Sequence, residues 1–238
     1  MDLKEEQILG DQVSSHWYYR AKASALLQDL RGKTPRHVLD VGAGSGFFSR
    51  MLLKETGAER ATCVDIGYGQ ENDEIWNGKP IAFRRSLGKC QADLVLAMDV
   101  IEHVSNDRDL IRTYINLVEP GTRFIFSVPA FNFLWSAHDV FLEHHRRYTL
   151  RSLYATIRDS GLMVDWGHYY YGTVFPLAAS IRLVERLKGT RSVEPKSQLQ
   201  QHSGFVNATL SAVLAAERPI MRFNKLFGLT VFAGAHKP

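Results

Sequence analysis

Over residues 36–165 the chain alternates short apolar runs with stretches of helical spacing. The runs at 37–41, 61–66, 81–84, 93–98 and 123–128 predict strands, and 93–98 is nearly continuous in apolar residues, as a strand covered on both faces should be. Between them, Phe48, Met51 and Leu52 mark one helix ending near Gly57. Leu110, Ile111, Tyr114, Ile115 and Val118 share the face of another, capped by Ser105 or Asn106 and stopped by Glu119-Pro120-Gly121. Residues 67–80 are polar and contain glycine, and read as a loop with at most a short helix. Strands alternating with helices across short turns predict an α/β chain with a parallel, doubly wound sheet.

Beyond residue 150 the pattern changes to a helix closed by Gly161, a strand over 163–170, amphipathic helices at 174–188 and 205–218, and a final strand over 230–236. A polar stretch, 189–204, separates the two amphipathic helices. At the N-terminus, 3–30 reads as helix broken near Ser14-Ser15, where His16-Trp17-Tyr18-Tyr19-Arg20 follows.

Composition adds limits. The 238 residues are 45% hydrophobic and 23% charged, enough for one large domain that needs neither disulfide nor metal to fold. The net charge of +4 is mild, and Arg84-Arg85 and Arg146-Arg147 are too short for a nucleic-acid arm, so no nucleic-acid partner is expected. The cysteines, Cys63 and Cys90, read as buried thiols in a reducing cytoplasm. No apolar run reaches spanning length, and nothing in the acidic N-terminus predicts export.

The chemistry begins at Asp40-Val41-Gly42-Ala43-Gly44-Ser45-Gly46, where glycines permit a tight strand-to-helix turn and close approach of a ligand. The spacing is GxGxG, whereas a dinucleotide site favours GxGxxG to cradle a pyrophosphate. Asp65, at the end of the second strand, can accept both hydroxyls of a ribose. Met98-Asp99-Val100-Ile101-Glu102-His103-Val104 lies at the carboxyl end of a central strand, the edge that faces ligands in such sheets.

In order and spacing these three segments resemble the successive motifs of class I S-adenosylmethionine-dependent methyltransferases, within the group that includes the ubiquinone-biosynthesis O-methyltransferases. The resemblance implies a Rossmann-like, seven-stranded sheet with an antiparallel last strand and a helical insertion before it. The implied parts are an N-terminal helical lid (1–30), a cofactor-binding core (36–170), the insertion (171–228) and the last strand (229–238). It implies S-adenosylmethionine as cofactor, held by Asp40, Gly42, Ala43, Gly44, Gly46, Asp65, Ile66, Met98, Asp99 and Val100. The cofactor carries an ammonium and a sulfonium, which the Asp40 carboxylate suits. Many members place an acid after the third strand, where this chain has Arg85-Ser86-Leu87, so no residue is assigned to the adenine.

Aromatic, His and Arg residues crowd 129–149, where an acceptor should sit. His138 and His145 are candidate bases, and Tyr148 a candidate hydrogen-bond donor to the acceptor. Trp135, Asp139, Arg146, Arg147 and Tyr170 are candidate acceptor-binding residues, with Asp139 able instead to cap a turn or orient an imidazole. His138, Glu143, His144 and His145 match no dependable ligand spacing, so no metal is expected. The helix at 177–188 fits packing on the sheet or against a second subunit better than lying on a membrane. The leading expectation is methyl transfer to oxygen or nitrogen of a small molecule or a glycan or lipid precursor. Two alternatives stand beside it: a noncatalytic module that binds the cofactor or a partner, and an NAD-dependent oxidoreductase.

Overall fold

The computed structural model describes residues 15–30, 32–187 and 203–238. The expected helix over 3–14 and nearly all of the polar stretch 189–204 lie outside the described residues.

Five parallel strands form the centre of one sheet: β1 (His37–Val41), β2 (Arg60–Val64), β4 (Lys79–Arg84), β5 (Leu94–Met98) and β6 (Arg123–Pro129). The sheet order is β3-β4-β2-β1-β5-β6-β8-β7, where β3 is Asn72–Trp76, β7 is Met163–Tyr170 and β8 is Thr230–His236. As expected, β8 runs antiparallel to its neighbours β6 and β7.

Among the described residues the sheet has eight strands where seven were expected. The additional one, β3, pairs antiparallel with β4 inside the segment read as a loop. The hairpin turns at Asn77-Gly78, whose φ values of 52° and 74° are the left-handed pair that a two-residue hairpin turn demands. Polar, mostly exposed residues at the sheet edge hide β3 from a search for apolar runs.

Helices cover both faces, and the strand side chains divide between them with period two. Val38, Leu94, Leu96 and Met98 pack with Leu26, Phe48 and Leu52 from α1 (Trp17–Asp29) and α2 (Phe47–Glu55). Leu39, Val41, Val95 and Ala97 pack oppositely, with Ile111 and Ile115 of α3 (Asp107–Leu117) and Leu153 and Ile157 of α5 (Leu150–Asp159). A short helix, α4 (Ala137–Phe141), lies between α3 and α5 in the chain. Asn106 caps α3 by accepting from the Asp109 N–H at 3.3 Å.

Of the last helices, α6 (Phe175–Leu187) leaves Leu177, Ile181, Val184 and Leu187 exposed rather than packed on the sheet as expected, whereas α7 (Gly204–Glu217) is tied to the core by polar bonds. Glu217 accepts from the Gly172 N–H at 2.7 Å and the Thr173 hydroxyl at 2.7 Å. Asn207 accepts from the Trp17 N–H at 2.7 Å, joining α7 to the start of α1. No helix among the described residues is long and apolar enough to cross a membrane. Cys63 is buried as expected, but Cys90 is only half-buried, because it lies on the loop before β5 rather than in a strand.

Candidate active site

At the carboxyl end of β1 the chain reverses through Gly42, Gly44 and Gly46, with φ of 60°, 53° and 74°. Gly42 and Ala43 donate N–H bonds to the Val64 carbonyl at 2.7 and 3.3 Å, pinning the turn to β2. A Cβ on Gly42 would stand 2.7 Å from Val100 Cγ2, so this position tolerates no side chain without a shift. Asp40 lies buried beneath the turn, where its carboxylate accepts the Ser49 hydroxyl of α2 at 2.8 Å. Burial pushes its carboxyl up to about 6.

Asp65 follows β2 and reaches back to the turn. Its carboxylate accepts from the Gly44 N–H at 3.1 Å and the Gly67 N–H at 2.8 Å, while Ile66 beside it is 86% exposed. The Tyr68 hydroxyl donates to the Gly44 carbonyl at 2.6 Å, closing the far side. This half-buried carboxylate beside a narrow glycine turn, with an apolar side chain presented to solvent, offers the acceptor that ribose hydroxyls require and an apolar surface for a flat base. The residues therefore fit a nucleoside-bearing cofactor.

Met98 is buried in the sheet, and Asp99 follows it with a left-handed φ of 55°. The Asp99 carboxylate accepts the Ser127 hydroxyl at 3.0 Å and pairs with the ammonium of Lys22, which is wholly buried on α1. Lys22 also donates to the Tyr18 hydroxyl at 2.7 Å. Burial alone would discharge Lys22, but Asp99 and Tyr18 outweigh it and hold the ammonium above its ordinary value. Burial opposes the Asp99 charge as well, yet Lys22 holds that carboxyl below the usual range.

Next to Asp99 opens a cavity of about 260 Å³, bounded by α1, the ends of β6 and β8, the segment after β5, and α6. Trp17, Tyr18, Glu102, His138, His144 and Arg147 are among its lining. Clefts of about 480 and 530 Å³ lie at the opposite end of the strands, around Arg123 and Arg36 respectively. Ligands of doubly wound sheets bind at the carboxyl edge, which favours the smaller cavity.

Not all of the expected acceptor residues meet there. His138 lines the cavity, but His145 is exposed and outside the lining, with its N–H bonded to the Glu102 carbonyl at 2.8 Å. Tyr148 is 2% exposed and donates to Asp107 at 2.8 Å, and burial with that carboxylate raises its phenol well above the ordinary value. Arg146 pairs with the same Asp107 at 3.2 Å, so both residues fasten the loop to the start of α3 instead of facing an acceptor. Tyr170 is a core residue whose hydroxyl donates to the Leu214 carbonyl at 3.1 Å, and Trp135 is half-buried outside the cavity lining.

Arg147 does line the cavity, and its fork closes on Asp139 at 2.6 and 2.9 Å. Asp139 is wholly buried, caps α4 through Ser136, and accepts from His144 Nδ1 at 3.0 Å. Burial would raise its carboxyl, but His144 and Arg147 hold it well below the usual range. Asp139 thus orients both side chains and has no oxygen to spare for an acceptor.

Glu102 and His103, which line the cavity, and Lys22, which pairs with the cavity residue Asp99, carry no assigned role in the sequence, and His144 enters there only in the ligand set that was set aside. Asp99, Glu102 and His103 carry a one-face signal in their i, i+3, i+4 spacing. Lys22 offers none, because it occupies a buried position of a helix whose apolar pattern is weak.

Comparison with known proteins agrees with this geometry. A methyltransferase-domain profile matches residues 15–165. The chain is similar to a ubiquinone biosynthesis O-methyltransferase of Vibrio parahaemolyticus, 27% identical over 131 residues, covering 50% of this chain and 54% of that protein. It thus spans about half the length of the curated relatives it matches. In fold it is similar to the N-methyltransferase NodS of Bradyrhizobium japonicum, solved with S-adenosyl-L-homocysteine, with a TM-score of 0.56 and 13% identity over 99% of this chain and 96% of that one. It is similar also to the 1,6-didemethyltoxoflavin-N1-methyltransferase of Burkholderia thailandensis, with a TM-score of 0.51 and 18% identity over 91% of this chain and 76% of that one. The chain belongs to the methyltransferase-domain family, in its class I, S-adenosylmethionine-dependent form.

Proposed function

We propose that this chain transfers a methyl group from S-adenosylmethionine to an oxygen or nitrogen of a small molecule or of a glycan or lipid precursor. The observation that carries the reading is the glycine turn with the Asp65 carboxylate bonded to the Gly44 N–H, opening beside the Asp99 cavity. Gly42, Ala43, Gly44 and Gly46 would give the cofactor its close approach, with Asp65 and Ile66 at the nucleoside and Asp40 supplying negative potential from below. Asp99 would stand between cofactor and acceptor, with Met98 buried in the sheet before it and Val100 packed against Gly42.

S-adenosylmethionine, when bound, supplies a methyl group on an already activated sulfonium. What the chain adds is alignment for in-line displacement, worth ~7–11 kcal/mol at ideal geometry. Trp17 and Tyr18, at the start of α1, line the cavity and would act there as a lid that limits water. His138, at its wall, takes the proton of an acceptor that arrives protonated.

Melting curves with added ligand test the reading. S-adenosylmethionine and S-adenosylhomocysteine should each stabilise the chain, by ~2.7 kcal/mol at a hundred times the dissociation constant, and NAD should not. Asp65→Ala should remove most of that shift. Stabilisation by NAD alone would overturn the assignment, and binding with no turnover on any acceptor tried would favour a noncatalytic module.

A further inference from the structure

Glu102 lies in the single turn of 3₁₀ helix after β5, 0% exposed, and neither carboxylate oxygen has a hydrogen-bond partner. A buried carboxylate left this way costs several kcal/mol, so folds do not keep one without a compensating cation or proton. The methyl-transfer reading gives it no task. His103 follows it in the chain, and the loop after α4 brings His144 from the other side, so that the ligand atoms of the three lie within 4.8 Å of one another. The two imidazoles meet edge to face with centroids 4.6 Å apart.

Both rings are already oriented. His103 Nδ1 is 2.9 Å from the Leu142 carbonyl, and His144 Nδ1 is 3.0 Å from the Asp139 carboxylate. An acceptor on each Nδ1 fixes the tautomer that places the lone pair on Nε2. A ring held through one nitrogen by a carbonyl or carboxylate is the usual surrounding of a metal-ligating histidine. Arg147 in turn steadies Asp139.

We propose that Glu102, His103 and His144 form a binding site for a divalent transition-metal ion of the zinc class. Two imidazoles and one carboxylate suit such an ion better than magnesium or calcium, which prefer oxygen throughout. Bonds of ~2.0–2.2 Å draw the ligand atoms closer than they now lie, which takes side-chain movement of about an ångström. Three protein ligands leave at least one position open, and the site borders the cavity, so an oxygen of the methyl acceptor can complete the coordination. That last element rests on the methyl-transfer reading, whereas the ion site does not.

Titration of the whole chain with Co²⁺, in the absence of S-adenosylmethionine, tests the site by visible d–d absorption. One equivalent should bind and be displaced by one equivalent of Zn²⁺. Glu102→Gln and His144→Ala should each weaken binding by at least ~10-fold, judged by what loss of even an outer-shell partner does. Glu102→Gln removes a buried charge and should fold at least as well as the parent, so it keeps the test valid where His144→Ala does not fold. No stoichiometric absorption, or an affinity unchanged in both variants, would overturn the ion site. If the ion binds while S-adenosylmethionine produces no melting shift, the coordinated acceptor falls and the ion site stands.

Discussion

Replacing Asp40 by Asn is the most direct test of the electrostatics beneath the glycine turn. The carboxyl is pushed from an ordinary 3.8 up to about 6 by burial, so the folded chain holds a proton there that the unfolded chain has already released. Between those values the native state binds more protons, and this group's contribution to stability therefore falls as pH rises, then stays level above about 6. The interval spans about two pH units, and at ~1.4 kcal/mol each the ionised carboxylate costs the unliganded fold roughly 3 kcal/mol. An Asn side chain can still accept the Ser49 hydroxyl but carries no charge. The stability of Asp40→Asn relative to the parent should consequently rise by ~2.4 kcal/mol between pH 4 and pH 7, part of the change lying below pH 4. For a chain of this size that is about 5–10 °C in Tm. Other carboxylates, Asp139 among them, titrate in both proteins and cancel in the difference. Urea unfolding at pH 4, 5.5 and 7 gives the slope, and any constant offset from the new amide drops out. Parallel stability curves for the two proteins over that range would refute the burial argument.

Other consequences are open to measurement. Gly42→Ala combines a left-handed φ of 60° with a contact of 2.7 Å to Val100, so it should cost ~1–3 kcal/mol in urea unfolding and suppress the S-adenosylmethionine melting shift. Lys22→Met should destabilise by ~3 kcal/mol, the low end for a broken buried pair because the Asp99 side chain keeps 23% exposure; adding Asp99→Asn should recover most of the loss in a double-mutant cycle. Tyr148→Phe should cost ~1–3 kcal/mol of stability by stripping the buried Asp107 of a donor, with turnover changed little once the protein is folded. His145→Ala should leave turnover nearly intact, whereas His138→Ala should lower it without altering cofactor affinity by calorimetry.

Much of this architecture could be read from residue patterns, because buried central strands advertise themselves. The runs at β1, β5 and β6 and the glycine turn between β1 and α2 needed only apolar continuity and backbone freedom to be placed. The acceptor side was harder for a physical reason. His144 and His145, like Arg146 and Arg147, are neighbours in an irregular loop, where no periodicity tells which of two adjacent side chains turns inward. Tyr148 and Arg146 find their common partner in Asp107, about 40 residues earlier, a contact set by packing alone. Lys22 sits where a helix expects an apolar residue, and only the arrival of Asp99 from the sheet makes its burial tolerable.

The polarity that hid β3 has a consequence for self-association. An eight-stranded open sheet has two edges, and an unpaired edge invites a second chain to continue the ladder. At one edge Asp73 and Glu74 on β3 engage Arg84 and Arg50 in ion pairs at 2.7 Å. At the other, β7 slips register between Val164 and Trp166, and Asp165 in the irregularity pairs with His236. A strand docking on either side would have to displace an ion pair or match a bulge. The polar residues that hide β3 from a reader of apolar runs thus also mark one end of the sheet, where an added strand would meet their ion pairs.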